Sequence, residues 1–529
     1  MDAHTDTDQL LRQEGQPTTA PAELLTYTTV WEPAELPPAG PMSLTARETL
    51  LVVDAADNGR AWAPGAARMA RVGRDVDADP DSWAAFLAGL RSAGRAPRGL
   101  VFDLPAATTR PGRAMELVLP ALLALRAAHD GGPLPVAFLV SGRARPELAP
   151  VLGALARATA GEREPMTTQP VSVCVETVPP GAGDPLQVAL AELSAAEAPG
   201  LAEVRYTDTG RHVRVLHRRT RTTAAGRRPV FRDGGRYLIT GGAAGAGARL
   251  ASLLAHDHRA RLVLTGDQDP DDAQRAGFRR LERAGAHVTY VRTDLSRASD
   301  VLAAVATAQR EFGGLDGVLH CAGPDADTPL AADGAGPLGR GLAAELDGAV
   351  HLDRATATLP LDFFVLLSSA AAYLGSAAPD LRAAAGRGLG ALAAARAGLG
   401  ETGTRQGASV AVAWPPSAHE EWRGMLPLPA DMSLRALSDA IRGWDTEIVT
   451  AYGDARRIDA WVGRLCAGRP APRSEPTADR APVADPAGGR LPGLLPAEAA
   501  RPHRSATPCA PRPRTARPAA DPLTARSRA

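Results

Sequence analysis

The sequence contains no lysine, so every permanently positive side chain is an arginine. Arginines and acidic residues are equal in number, 59 of each, and the resulting net charge of zero favours neither nucleic acid nor an anionic membrane as a partner. No apolar run approaches the length of a membrane span, and the amino-terminal stretch is polar and acidic, unlike a signal peptide. We therefore expect a cytoplasmic protein.

Cysteine is scarce and scattered. The four cysteines, Cys174, Cys321, Cys466 and Cys509, show neither the spacing of a metal site nor a disulfide framework. We predict no metal site. Cys321 follows His320 at the end of an apolar run, and we interpret this cysteine as a small apolar core residue and the histidine as structural.

The chain of 529 residues is long enough for two or three domains. Residues 1–24 and 468–529 lack apolar periodicity, and we predict that both segments are disordered tails. Residues 25–227 alternate short runs rich in Val, Leu and Phe with helical stretches, a pattern typical of buried parallel strands in an α/β fold. No glycine-rich turn follows the strand that ends at Asp54, so we interpret this region as structural.

Residues 228–467 begin with a glycine-rich turn. Tyr237 to Ile239 have the pattern of a strand end, Thr240 to Gly247 form the turn, and helical spacing starts at Ala248. In this order the glycines let the backbone approach a pyrophosphate at a helix N-terminus. Six strands alternate with helices from this point, and a late strand follows at Glu447 to Ala451. The sequence therefore predicts an α/β protein of two Rossmann-like doubly wound subdomains, of which the first is structural and the second carries the glycine-rich turn.

Three segments strengthen this interpretation: Tyr237-Leu-Ile-Thr-Gly-Gly242, Gly317-Val-Leu-His-Cys-Ala-Gly323 and Leu361-Asp-Phe-Phe-Val-Leu-Leu-Ser-Ser369. Together they resemble the ketoreductase domain of modular polyketide synthases, a two-part member of the short-chain dehydrogenase/reductase superfamily. The resemblance covers roughly residues 25 to 465. It implies a nicotinamide cofactor that delivers hydride to a β-keto group, and an acid that protonates the developing alkoxide.

The resemblance implies four catalytic positions, of which one keeps the family residue. Ser369 stands at the serine that holds the carbonyl, and Arg382 stands at the tyrosine that acts as general acid. Gly386 replaces the relay asparagine, and Glu345 replaces the lysine that lowers the pKa of the tyrosine. Arginine does not donate its proton near neutral pH, because its pKa stays above ~12. We expect Glu345 and Arg382 to form an ion pair, and Tyr373, the one tyrosine near the serine, to point elsewhere.

The resemblance also implies a cofactor site formed by Thr240, Gly241, Gly242, Gly245, Gly247, Asp267, Asp294, Leu295, Ala322 and Gly323. Asp267 stands where the family has an arginine for the 2′-phosphate of NADPH, so NADH is favoured over NADPH if either binds. Ala244 replaces a loop glycine, and we expect its methyl group to weaken binding without excluding it.

These observations favour a free-standing polyketide-synthase ketoreductase-like protein that is catalytically degenerate and serves a structural or partner-binding role. Its expected partner is a synthase subunit or an acyl carrier protein, and its oligomeric state is left open. One alternative is an active NAD(P)H-dependent β-ketoacyl reductase with an unusual proton donor. Another alternative is a regulator that senses dinucleotide without turnover.

Overall fold

The computed structural model describes residues 21–35, 48–54, 69–72, 80–94, 96–105, 118, 121–122, 134–142, 151–154, 168–179, 184–194, 202–219, 229–323, 335–375, 382–415, 423–443 and 445–466. Residues 1–20 and 468–529 of the two predicted tails lie outside these ranges. The prediction was wrong for the last two residues of the first tail, because Glu23 and Leu24 belong to a strand in which Glu23 pairs with Gly453.

Among the described residues of the first half, eight strands and two helices have defined bounds. The strands are β1 (Glu23–Pro33), β2 (Glu48–Asp54), β3 (Met69–Val72), β4 (Ala96–Pro105), β5 (Leu134–Ser141), β6 (Thr168–Val175), β7 (Ala202–Thr207) and β8 (Gly210–Arg218). The helices are α1 (Pro80–Ser92) and α2 (Pro185–Ser194).

The second half begins with the predicted strand–turn–helix unit. Its strands are β9 (Arg236–Thr240), β10 (Arg261–Gly266), β11 (His287–Arg292), β12 (Gly317–His320), β13 (Phe363–Ser369), β14 (Ala408–Trp414) and β15 (Glu447–Gly453). Its helices are α3 (Gly245–His258), α4 (Asp272–Arg283), α5 (Ala298–Phe312), α6 (Ala335–Ala355), α7 (Ala371–Leu374), α8 (Arg382–Glu401), α9 (Ala430–Arg442) and α10 (Ala455–Leu465).

The strands of both halves join in one sheet of fifteen, in the order β11-β10-β9-β12-β13-β14-β15-β1-β8-β7-β6-β5-β4-β2-β3. Within each half the neighbouring strands are mostly parallel, as predicted for two doubly wound subdomains, and the α/β fold class is confirmed. Strand β1 joins the halves because it pairs antiparallel with β15 on one side and β8 on the other. Tyr27 is opposite both Val449 and Arg218.

The core follows from the apolar runs of the parallel strands. All four residues of β12 and the first six of β13 are buried, as expected for strands covered by helices on both faces. Two apolar clusters flank the second half of the sheet, one on the side of α3 and α9 and one on the side of α5, α6 and α8. A third cluster fills the first half and extends through β1 and β15 to α10.

A buried network of four charges lies where the halves meet. Arg387 of α8 donates to both carboxylate oxygens of Glu203, at 2.7 and 2.5 Å, and to Glu447 at 3.2 Å. Arg214 of β8 binds the same two carboxylates. The side chains of Arg387, Glu203 and Glu447 are 1%, 9% and 5% exposed. Two positive and two negative charges thus offset one another inside the protein, and they connect α8 to strands of both halves.

A second buried group of charges connects α6 and α8, the helices that carry the predicted catalytic substitutions. Asp353 of α6 is fully buried and contacts Arg396 at 3.0 Å and Arg405 at 2.9 Å. Arg396 also donates to the Ser409 hydroxyl at 2.7 Å. These bonds fix α6 against α8 and β14 beneath the site. Within the described ranges, no helix combines the length and the apolarity needed to cross a membrane.

Candidate functional site

The glycine-rich turn connects β9 to α3, and its geometry requires glycine at several positions. Gly241 has a φ of 63°, and a Cβ built there would lie 3.0 Å from Cα of Ala322. A Cβ on Gly247 would overlap the carbonyl oxygen of Gly241. Gly245 has a φ of 54°, a conformation that side chains disfavour. The glycines predicted from the sequence therefore form one tight turn, and Ala322 lies against it.

The amino terminus of α3 opens from this turn. Its N-cap, Ala244, has extended backbone, and no side chain caps the helix. The first N–H groups of α3 are thus left for an external acceptor, as in sites that bind phosphate groups. Ala244 is exposed and its φ of −148° suits any residue, so the alanine strains nothing at this position. Because of this terminus and the glycines beside it, the turn fits a dinucleotide pyrophosphate.

The loop after β10 carries Asp267, which is exposed. Arg292, at the end of β11, donates to the Asp267 carbonyl oxygen at 3.1 Å and contacts the Asp269 carboxylate at 3.5 Å. Sequence reasoning missed Arg292, because no spacing rule connects it to a loop 25 residues away. The Asp267 carboxylate itself has no ion-pair partner among the described residues. This side of the turn therefore presents an unpaired negative charge.

Asp294 and Leu295 follow β11 and have local roles. The Asp294 carboxylate accepts from the backbone N–H and the hydroxyl of Ser296, at 3.0 and 2.6 Å, and Arg297 lies 3.2 Å away. The hydroxyl of Ser296 lowers the pKa of Asp294. Leu295 packs closely against Gly348 of α6. A Cβ built on Gly348 would lie 2.8 Å from the Cβ of Leu295. Asp294 thus closes a turn, and Leu295 anchors this turn to α6.

His320 joins three elements beneath the site. Its Nε2 lies 3.1 Å from the carbonyl oxygen of Glu345, which can only accept, so Nε2 carries the proton. Its Nδ1 then accepts from the Thr240 hydroxyl at 2.8 Å, and that hydroxyl accepts from the Cys321 N–H at 3.2 Å. Burial lowers the pKa of His320 to about 4. The ring is therefore neutral and connects β9, β12 and α6, which is a structural role.

The predicted catalytic positions lie on β13, α6 and α8. The Ser369 hydroxyl ends β13 and accepts from the Ala371 N–H at 3.2 Å. Glu345 is buried in α6, and a Cβ on Gly323 would lie 2.9 Å from its Oε2. Arg382 is the first residue of α8, but its side chain lies outside the described part of the structure. The ion pair between Glu345 and Arg382 therefore stays a prediction.

Gly386 lies in α8 against a residue that sequence reasoning missed. A Cβ on Gly386 would overlap the hydroxyl oxygen of Ser368, the neighbour of Ser369. The Ser368 hydroxyl is buried and has no hydrogen-bond partner among the described residues. It occupies the space that a side chain at position 386 would need. No sequence pattern signals this contact, because it depends on how α8 packs across β13.

All six tyrosines of the chain are described by the structure. Five of their hydroxyl groups form hydrogen bonds, and none of these bonds is to Ser369. Five such bonds connect Tyr27 to Asp459, Tyr206 to Glu192, Tyr237 to the Arg232 N–H, Tyr290 to the Gln268 carbonyl and Tyr373 to Glu447. The sixth tyrosine, Tyr452, lies on β15, where it pairs with Leu24 of β1. The single asparagine of the chain, Asn58, lies outside the described ranges.

Tyr373 was expected to point away from the serine, and the structure gives the geometry. Its hydroxyl donates to Glu447 at 2.8 Å inside the buried charge network, and Arg387 lies over its ring at 4.3 Å. Burial, followed by the nearby Glu447 carboxylate, raises the pKa of Tyr373. A buried tyrosine whose proton is already donated to a carboxylate is not a proton donor for a ligand in the cleft.

The parallel sheet, the glycine turn beneath α3 and the serine at the end of β13 define a Rossmann protein of the short-chain dehydrogenase/reductase type. Residues 235–419 match the family model of the KR domain. Residues 235–419 therefore form a ketoreductase domain of this superfamily, of the kind found in polyketide synthases. Nicotinamide dinucleotides are the cofactor class typical of the family.

The relatives are large synthases, and the chain matches a small share of each. It is 30% identical to polyketide synthase PksN of Bacillus subtilis over 274 residues, which are 48% of this chain and 5% of that synthase. It is 32% identical to pikromycin polyketide synthase component PikAIII of Streptomyces venezuelae over 277 residues, 49% of this chain and 17% of that component.

Solved structures match over more of the chain. A-type ketoreductases from a modular polyketide synthase align with a TM-score of 0.64 and 26% identity, covering 83% of this chain and 95% of theirs. An N-terminal ketoreductase from the macrolactin assembly line aligns with a TM-score of 0.66 and 19% identity, covering 87% of this chain and all of that one (100%). The second likeness supports the fold alone.

Proposed function

We propose that this chain is a ketoreductase-like component of a polyketide synthase system that does not reduce keto groups and acts by binding. A bound nicotinamide would supply hydride, but the developing alkoxide also needs a proton donor. Ser369 remains to hold a carbonyl. Arg382, Gly386 and Glu345 replace the acid, the relay and the activating lysine that the family resemblance implies.

The observation that carries this proposal is the position of Tyr373. Arginine keeps its proton and lysine is absent from the whole chain, so Tyr373, the one tyrosine near Ser369 in the sequence, would be the most direct substitute for the acid that the family uses. The hydroxyl of Tyr373 is committed to Glu447 between the halves. Loss of a general acid lowers a rate by about 10²–10⁴-fold, and loss of its activator and relay removes the usual means of recovery.

The test of turnover uses the full chain with NADPH and NADH, a β-ketoacyl thioester and a simple ketone surrogate. We expect no alcohol product above the background without protein, while an active ketoreductase run in parallel forms product. Alcohol formation that the Ser369→Ala variant abolishes would contradict the proposal. That result would establish the alternative, an active reductase with an unusual donor.

A second candidate function is dinucleotide binding without turnover, and the retained turn favours it. Gly241, Gly245 and Gly247 would let the backbone approach the pyrophosphate at the start of α3. Asp267 would face the adenosine ribose, where a carboxylate accepts hydrogen bonds from hydroxyl groups and repels a 2′-phosphate. We infer that NADH binds better than NADPH. Calorimetry with both dinucleotides tests this order, and tighter binding of NADPH would contradict it.

The expected partner is a synthase subunit or an acyl carrier protein. This part of the proposal rests on the relatives, which are polyketide synthases, and on the apolar core that both halves retain. Polar substitutions inside such strands would each cost about 1–3 kcal/mol. Purification of the tagged full chain from its native producer should recover components of a polyketide assembly. Recovery of the chain without such components would count against a binding role.

A further inference from the structure

The loop that follows β10 is held by the carboxyl end of β11, the neighbouring strand. Three successive carbonyl oxygens of this loop accept hydrogen bonds from that strand end. They belong to Gly266, Asp267 and Gln268, and their donors are the Thr293 N–H at 2.8 Å, Arg292 Nε at 3.1 Å and the Tyr290 hydroxyl at 2.5 Å. Residues 266–269, called here the Asp267 loop, are therefore fixed by one strand end.

Tyr290 supports the Asp267 loop through a side chain that is itself fixed by packing. Its ring stacks on Phe278 of α4, with ring centroids 5.4 Å apart, and this contact sets the direction of the hydroxyl. Gly266 leaves room for the hydroxyl, because a Cβ there would lie 2.6 Å from the hydroxyl oxygen. Burial, followed by the carboxylates of Asp267 and Asp269, raises the pKa of Tyr290. The hydroxyl thus keeps its proton and donates it to the loop.

The backbone of this loop determines where the Asp267 carboxylate lies. Among the described residues, this carboxylate has no ion pair and no hydrogen bond, and the side chain is exposed. Because the side chain is short, its position follows that of the backbone. A carboxylate on a fixed loop accepts hydrogen bonds from ribose hydroxyls without a further loss of conformational freedom, and it stays close to a 2′-phosphate that it repels.

We propose that Tyr290 is a positioning residue for the dinucleotide: its hydroxyl fixes the Asp267 loop, and the fixed carboxylate selects dinucleotides with a free 2′-hydroxyl. This inference rests on the second candidate function, dinucleotide binding, and adds the residue that sets its selectivity. Arg292 holds the same loop, but its positive charge also attracts a 2′-phosphate. The role of Tyr290 is free of this charge effect and is measured separately.

The test removes the hydroxyl of Tyr290 and keeps its ring. Tyr290→Phe retains the stack on Phe278 and the net charge, and calorimetry measures the affinities of the full chain for NADH and NADPH. NADH should bind about threefold to tenfold more weakly, because a hydrogen bond that orders the loop is lost. NADPH should lose less affinity, because the released carboxylate can move away from the 2′-phosphate. The preference for NADH should fall by about threefold or more.

The Asp267→Ala variant provides the background that isolates positioning from general stability. Without this carboxylate the loop has nothing to position, so adding Tyr290→Phe should change the ratio of the two dissociation constants by less than about 1.5-fold. Thr289→Val is the matched control, because it removes a hydroxyl bond of 2.6 Å from the same strand to Glu311 of α5. This control should leave the ratio unchanged. Partial unfolding lowers both affinities alike and cancels in the ratio.

The possible outcomes separate this inference from the function on which it rests. If the unmodified chain prefers NADH and Tyr290→Phe leaves the preference unchanged, the inference is overturned and dinucleotide binding stands. The same holds if Tyr290→Phe changes the ratio equally with and without Asp267. If the unmodified chain binds neither dinucleotide, or binds NADPH more tightly, the proposed ribose site is wrong and the inference fails with it.

Discussion

Replacing Arg387 by methionine tests the role of the buried charge network between the halves. The side chain is 1% exposed and bonds two carboxylates, Glu203 and Glu447. Methionine fills similar space without charge, so Arg214 is left to offset two buried carboxylates. Breaking a buried pair by removal of one partner destabilises a protein by about 3–5 kcal/mol, because the remaining charge is uncompensated. We expect a loss of this size in the free energy of unfolding.

Urea unfolding, followed by far-UV circular dichroism, measures this loss. Arg435→Met on the exposed face of α9 is the control, and we expect it to change stability by less than about 0.5 kcal/mol. The double variant Arg387→Met with Glu203→Gln removes one charge of each sign, and it should recover more than half of the loss. If Arg387→Met changes the free energy of unfolding by less than about 1 kcal/mol, the charge network does not stabilise the contact between the halves, and the reasoning is wrong.

Three further predictions concern the site. Because burial lowers the pKa of His320 to about 4 while its unfolded pKa is about 6.5, the unfolded state binds more protons as the pH falls. The protein should lose about 2 kcal/mol of stability from this group between about pH 7 and pH 5, and His320→Gln should show a smaller loss over that range in urea titrations. Gly386→Ala should lower the free energy of unfolding by about 1–3 kcal/mol, because the added methyl group overlaps the Ser368 hydroxyl. In a double-mutant cycle, adding Ser368→Ala should recover most of this loss. Additive effects of the two substitutions would refute the contact. Asp267→Arg should shift the ratio of NADPH to NADH affinity by about tenfold or more toward NADPH in calorimetry, and an unchanged ratio would mean that the 2′-position lies elsewhere.

The strands of both halves and the glycine turn could be predicted from the sequence, because their physical causes are local. A buried parallel strand such as β13 is a continuous apolar run, and the turn at Gly241 needs a backbone that side chains disfavour. The family resemblance placed Ser369 at the end of its strand for the same reason, since strand and motif are contiguous. Strand β3 was missed, because four residues are too few for a clear period.

Only the tertiary structure could decide how the halves join and what surrounds the substituted positions. Arg387 and Glu203 are 184 residues apart in the sequence. Both are of residue types that usually lie at the surface, and only the fold shows that they are buried together. The same holds for the bond of Tyr373 to Glu447, and for the contact of Ser368 with Gly386. The sequence determined the elements and their periods. The packing of α8 across the sheet decided which charges are buried together, because long-range pairing leaves no periodic signal along the chain.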